Sequence, residues 1–165
     1  MDPRYPVGKF DKAAARNRNA WVADIERQPA DLKAALAALP SGALDRPYRQ
    51  GGWTGRQMVH HIADSHMNSQ LRFRCALTED KPVIKPYNEV EWAKLADANR
   101  GPIELSLSII EGMHARWTAL LRSLSEEQWQ RKLIHPDTGE WDLELLAGLY
   151  SWHGRHHVAH LKLIR

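Results

Sequence analysis

The chain has 165 residues, the size of one globular domain able to build its own apolar core. Hydrophobic residues make up 43% and charged residues 26%, far from a disordered composition, and the 23 basic and 20 acidic side chains are scattered, leaving no basic patch of the kind that grips nucleic acid. A single cysteine, Cys75, excludes an intrachain disulfide framework, no apolar run reaches the ~20 residues that span a bilayer, and the stretch to Arg16 lacks the apolar core of a secretory signal; a cytoplasmic protein with no membrane partner is expected.

Pro3 and Pro6 mark an irregular entry, after which Lys12 to Leu39 is helix-forming in composition, with Pro29 predicting either two helices or one interrupted helix. Leu32, Ala35, Leu36 and Leu39 repeat at the spacing of an amphipathic helix, which Pro40 and Gly42 end. Thr54-Gly55-Arg56-Gln57 has the capping-box pattern, so a long helix should start at Thr54 and run to about Leu77. Prolines at 82, 86 and 102 then predict a long crossing connection, with a short helical piece around Glu89 to Ala98. Ile103 to Leu124 reads as a third long helix, Glu126 to Leu133 as a further turn or two, His135 to Gly139 as a turn, and Asp142 to Ile164 as the last helix. Together these predict one all-α domain over residues 1–165, a four-helix bundle whose long connection between the second and third long helices lets neighbouring helices run parallel.

The anomaly is histidine. Seven of the nine fall in two clusters, His60, His61 and His66, then His153, His156, His157 and His160; His114 and His135 stand alone. On the last helix the apolar series Leu146, Tyr150, Leu161 and Ile164 is continued by His153 and His157, four residues apart and therefore on one face. His156 and His160 rotate to one side, nearer the rim. Two core imidazoles are costly to bury without partners, and a metal ion would satisfy both. A lone core histidine is more commonly bonded to a carbonyl, but the paired spacing together with a second cluster favours a metal. From the early helix, periodicity separates His61 from His60 only slightly.

The stretch from Gly51 to Ser69, GGWTGRQMVHHIADSHMNS, and that from Leu149 to His160, LYSWHGRHHVAH, resemble the motifs of the DinB/YfiT-like superfamily, within it the YfiT group of metal-dependent hydrolases. Pro86-Tyr87, the segment Met113 to Trp117 and His135 to Thr138 are similar to that group as well, so the likeness extends over nearly the whole chain from Tyr5, although the His135 to Trp152 segment is a residue shorter than the family form. The resemblance implies a four-helix bundle holding one zinc or nickel ion on His61, His153 and His157, and a homodimer.

Three neutral imidazoles leave coordination positions open, as in catalytic rather than structural zinc sites, and a ligated water there has its pKa lowered towards 7 for hydrolysis of a small-molecule substrate. Two alternatives compete: a metal-dependent thiol S-transferase using a low-molecular-weight thiol, which some relatives in the superfamily are, and a metal-binding stress protein without turnover. No catalytic acid or base stands out. Asp64 is a candidate to orient an imidazole, His66, His156 and His160 are candidate proton shuttles, and Trp53 and Trp152 are candidate pocket walls, each with a bland structural reading beside it.

Overall fold

The computed structural model describes residues 2–165. Four long helices dominate: α1 (Arg18–Ala37), α2 (Gly55–Thr78), then, after two short helices α3 (Glu89–Trp92) and α4 (Ala96–Arg100), α5 (Ile103–Ser123). A single turn, α6 (Glu126–Trp129), leads into a hairpin of β1 (Lys132–His135) and β2 (Gly139–Asp142), and α7 (Leu143–Leu161) completes the bundle.

Two details differ from the sequence expectation for the first helix. It begins at Arg18 rather than Lys12, with the Asn17 side chain accepting from the Ala20 N–H, and it passes through Pro29 without a break. Tertiary packing overrides the proline, because Ile25, Gln28, Leu32 and Ala35 on either side of it are all buried. The second difference in fold is the hairpin, in which Leu133 pairs with Trp141 and His135 with Gly139 around a turn that places Gly139 at φ +79°. Its apolar members Leu133 and Trp141 close one end of the core, and the segment after α2 runs beside β1, Ile84 N–H donating to the Ile134 carbonyl at 2.9 Å. The fold is thus a helical bundle with a small two-stranded appendage.

Helix α1 packs against α5 and α7, and α2 against the same two. The apolar core is divided. One cluster gathers Val22, Ile25, Phe73, Trp117, Leu121, Leu146 and Tyr150; the other gathers Leu32, Met58, Ile62, Ile110, Val158 and Leu161. Helices α1 and α7 run from the first cluster to the second, whereas α2 and α5 run from the second to the first. Neighbours α2 and α5 are therefore parallel, as are α1 and α7, and residues 79–102 carry the chain back along the bundle as the long connection requires. Between the clusters every long helix contributes buried polar side chains: Gln28 from α1, His61, Ser65 and His66 from α2, His114 from α5, and Ser151 and His157 from α7.

Candidate metal centre

The start of α2 is pinned by the predicted capping box. Thr54 Oγ1 accepts from the Gln57 N–H at 3.2 Å and Gln57 Oε1 accepts from the Thr54 N–H at 3.0 Å, so His61 enters the polar layer two turns later with a fixed rotation. At the other helix, Asp142 caps α7 by accepting from the Leu145 N–H at 2.7 Å, and His153 and His157 follow one turn apart on the inner face.

These three imidazoles converge. One ring nitrogen from each of His61, His153 and His157 lies within 4.8 Å of the others, and the Nε2 atoms of His61 and His153 are 3.1 Å apart. Tetrahedral ligands at ~2.0–2.1 Å from a zinc ion stand about 3.3–3.4 Å from one another, so His61 and His153 already stand near that spacing and His157 has to close on them to complete it. Burial lowers the His61 pKa to about 4, with the neighbouring His156 adding to the effect, and holds His153 and His157 well below the usual imidazole value. All three are neutral at pH 7, the form in which imidazole is a ligand, and three borderline nitrogen donors suit zinc or nickel. Trp53 packs on the His61 ring at 4.6 Å and nearly parallel to His157 at 6.3 Å.

His60 is drawn elsewhere. Its Nδ1 is 2.8 Å from Ser106 Oγ and its Nε2 donates to the Gly101 carbonyl at 3.2 Å, so it fastens α2 to α5 and the crossing segment. That leaves His61 facing α7, a distinction that periodicity could not make because both residues are buried. His156 and His160, expected near the rim, are also buried: His156 stacks on Trp152 at 4.4 Å and His160 lies against Tyr48 at 4.1 Å. The N-terminal segment and the loop before α2 cover a helix face that an isolated α7 would expose. His160 Nδ1 is 3.4 Å from His157 Nδ1, while His156 Nδ1 and His160 Nε2 have no partner among the described residues.

Asp64 does not orient an imidazole; among the described residues no ring donates to its carboxylate, which burial and the nearby Asp97 shift to a higher pKa. The contact with a candidate ligand ring is made instead by another histidine. His66, fully buried, has Nε2 at 3.0 Å from His153 Nδ1 and Nδ1 at 2.8 Å from His114 Nε2, and His114 Nδ1 donates to the Ile25 carbonyl at 2.6 Å. Nothing in the sequence marks His114 for this contact, because its partners are far away in the chain and a lone histidine on α5 carries no spacing signal. Cys75 is half-buried and takes no part.

A cavity of about 420 Å³ reaches the site from outside along His157, walled by Trp53, Tyr48, Arg49, His156 and His160. Trp152 is not part of that wall; its indole N–H donates to the Gly8 carbonyl at 2.9 Å.

A family model described as the DinB superfamily matches residues 24–161. The chain belongs to the DinB superfamily. Within it, a protein of Bacillus cereus strain AH820 is 48% identical over 167 residues, spanning 99% of this chain and 96% of that protein, and carries the name "putative metal-dependent hydrolase". A Bacillus anthracis strain A0248 protein of the same name matches to the same extent. Among solved structures, YfiT from Bacillus subtilis superposes with a TM-score of 0.93 at 43% identity, covering 98% of this chain and 95% of YfiT, and is described as a probable metal-dependent hydrolase with an unusual four-helix bundle topology.

Proposed function

We propose that this chain is a metal-dependent hydrolase in which His61, His153 and His157 hold one divalent ion, zinc or nickel, and a small-molecule substrate enters through the cavity beside His157. The observation that carries the reading is the convergence of three neutral imidazoles from two helices, His61 and His157 buried and His153 half-buried, with ring nitrogens within 4.8 Å, beside an open cavity that His157 lines. The names of the relatives support it. Three protein donors rather than four favour an open coordination position over a closed structural site. An ion held there would supply Lewis acidity and lower the pKa of water at its open position towards 7.

The chain's own residues do the rest. His61, His153 and His157 hold the ion, Trp53 shields two of those rings from water, and Arg49 and Tyr48 line the approach. Exposed apolar pairs on the parallel helices, Met67 with Leu71 on α2 and Leu105 with Ile109 on α5, support a homodimer, and the lone free thiol of Cys75 supports a reducing, cytoplasmic setting. The reading is tested by elemental analysis of protein grown in metal-replete medium, followed by ester, amide and thiol-transfer panels on wild type and His153→Ala. One equivalent of metal and hydrolysis lost in the variant are expected; equal activity in both proteins would remove the metal mechanism, and thiol transfer without hydrolysis would replace the reaction assigned.

A further inference from the structure

Helix α1 carries a proline in its interior, and Pro29 has no N–H to give. The carbonyl four residues earlier, that of Ile25, therefore lacks its helical donor. It accepts instead from His114 Nδ1 across the bundle, at 2.6 Å. A carbonyl can only accept, so Nδ1 of His114 bears the proton. Burial, only partly opposed by this hydrogen bond, lowers the His114 pKa to about 4, so the ring is neutral and its Nε2 is a bare lone pair.

That lone pair lies 2.8 Å from His66 Nδ1, which must then be the donor. His66 is wholly enclosed, its ring surrounded by His114, Trp117, Tyr150 and His153 with no carboxylate among the described residues to balance a charge, and it too is neutral. Its Nε2 is bare and accepts from His153 Nδ1 at 3.0 Å. The proton positions are thus dictated one after another from a single fixed acceptor. They leave His153 Nε2 without a proton, facing His61 Nε2 at 3.1 Å.

We propose that the Ile25 carbonyl, freed by Pro29, anchors a two-histidine chain through His114 and His66 that locks His153 in the Nδ1–H tautomer and so presents its Nε2 as a metal donor. The proposal rests on the metal-site reading above for its purpose, though not for the proton order. His66 and His114 are positioning residues, doing with two imidazoles and a carbonyl what a carboxylate does behind many metal-bound histidines. The chain is a lock and not a conduit, since the carbonyl at its end cannot take up a proton. It also explains why a helix-breaking residue sits in the middle of α1: the broken hydrogen bond is reused across the bundle.

Long-range ¹H–¹⁵N correlation on metal-free wild-type protein at neutral pH reads the tautomers directly. His114, His66 and His153 are each expected with the proton on Nδ1, opposite to the form that free histidine favours; a proton on Nε2 of His114 or His66 would overturn the proposal. Competition of Zn²⁺ against a chromophoric chelator reads the consequence. His66→Leu should bind zinc 10- to 100-fold more weakly, and His66→Gln, whose amide oxygen can still accept from His153 Nδ1, should recover most of that loss. Wild-type affinity in a folded His66→Leu would overturn the positioning role. If wild type shows the expected tautomers yet takes up no zinc, the three-histidine metal reading fails and the assigned purpose of the lock fails with it, while the proton order stands.

Discussion

Acidification of the metal-free protein should unfold it well above the pH at which carboxylates titrate, and the cause is the buried histidine layer. His114 shows the arithmetic. Its pKa falls from 6.5 in the unfolded chain to about 4 in the fold, chiefly through burial. Between those values the unfolded chain binds a proton that the folded one refuses, so stability is complete above pH 6.5 and is lost as pH falls towards 4. A difference of 2.5 pKa units at 1.36 kcal/mol each comes to about 3 kcal/mol. His61 is lowered to about 4 by the same burial, and His66, His153 and His157 are shifted in the same direction. Asp64 and Glu89, whose pKa values burial raises, act in the opposite sense but are only two. Against a total stability of about 5–15 kcal/mol, two or three such histidines are enough to unfold the domain. Urea titrations in EDTA, followed by tryptophan fluorescence at pH 7.5, 6.5, 5.5 and 4.5, should show the loss beginning in the first interval and steepening below pH 6.5. A decline of more than about 1.4 kcal/mol per pH unit should follow. A midpoint that holds constant down to pH 4.5 would refute the claim that these imidazoles are buried neutral.

Two substitutions on α2 should separate neighbours in the sequence. His60→Ala removes the bonds to Ser106 and Gly101 and should cost about 1–3 kcal/mol of stability while leaving zinc stoichiometry at wild type. His61→Ala should abolish stoichiometric zinc binding with a smaller effect on folding, and calorimetric titration beside thermal melts would expose a reversal of the two. On α7, a Cβ at Gly154 would fall 2.2 Å from Gln28 Oε1, so Gly154→Ala should cost about 1–3 kcal/mol in urea. Adding Gln28→Ala should recover part of it; strictly additive losses would mean that the close approach of α1 and α7 is not what requires the glycine.

Much of the fold could be read from local signals because it is built from them. The Thr54 capping box set the start of α2, the proline-rich stretch after Thr78 marked the crossing connection, and the stripe through Leu146, Tyr150 and Leu161 put His153 and His157 inward. What escaped depends on contacts between distant segments. Strands of four residues are too short for alternation to register, and the hairpin owes its existence to Leu133 and Trp141 packing under the bundle. Pro29 is tolerated because its neighbours are buried, and the carbonyl it frees is used by a histidine 89 residues away. His156 and His160 looked peripheral on a helical wheel because Tyr48 and the segment around Tyr5, which cover them, lie outside any helix. The choice between His60 and His61 turned on Ser106 and Gly101, residues that no periodicity on α2 could reveal. There the family resemblance, not the pattern of apolar residues, had favoured His61.

The claim that three histidines from two helices hold one ion is tested most directly by anomalous diffraction at the zinc edge from crystals of metal-replete protein. One strong peak per chain is expected, bounded by His61, His153 and His157 with nitrogen distances of ~2.0–2.1 Å. A peak on the His156 and His160 side, or no peak between α2 and α7, would contradict it.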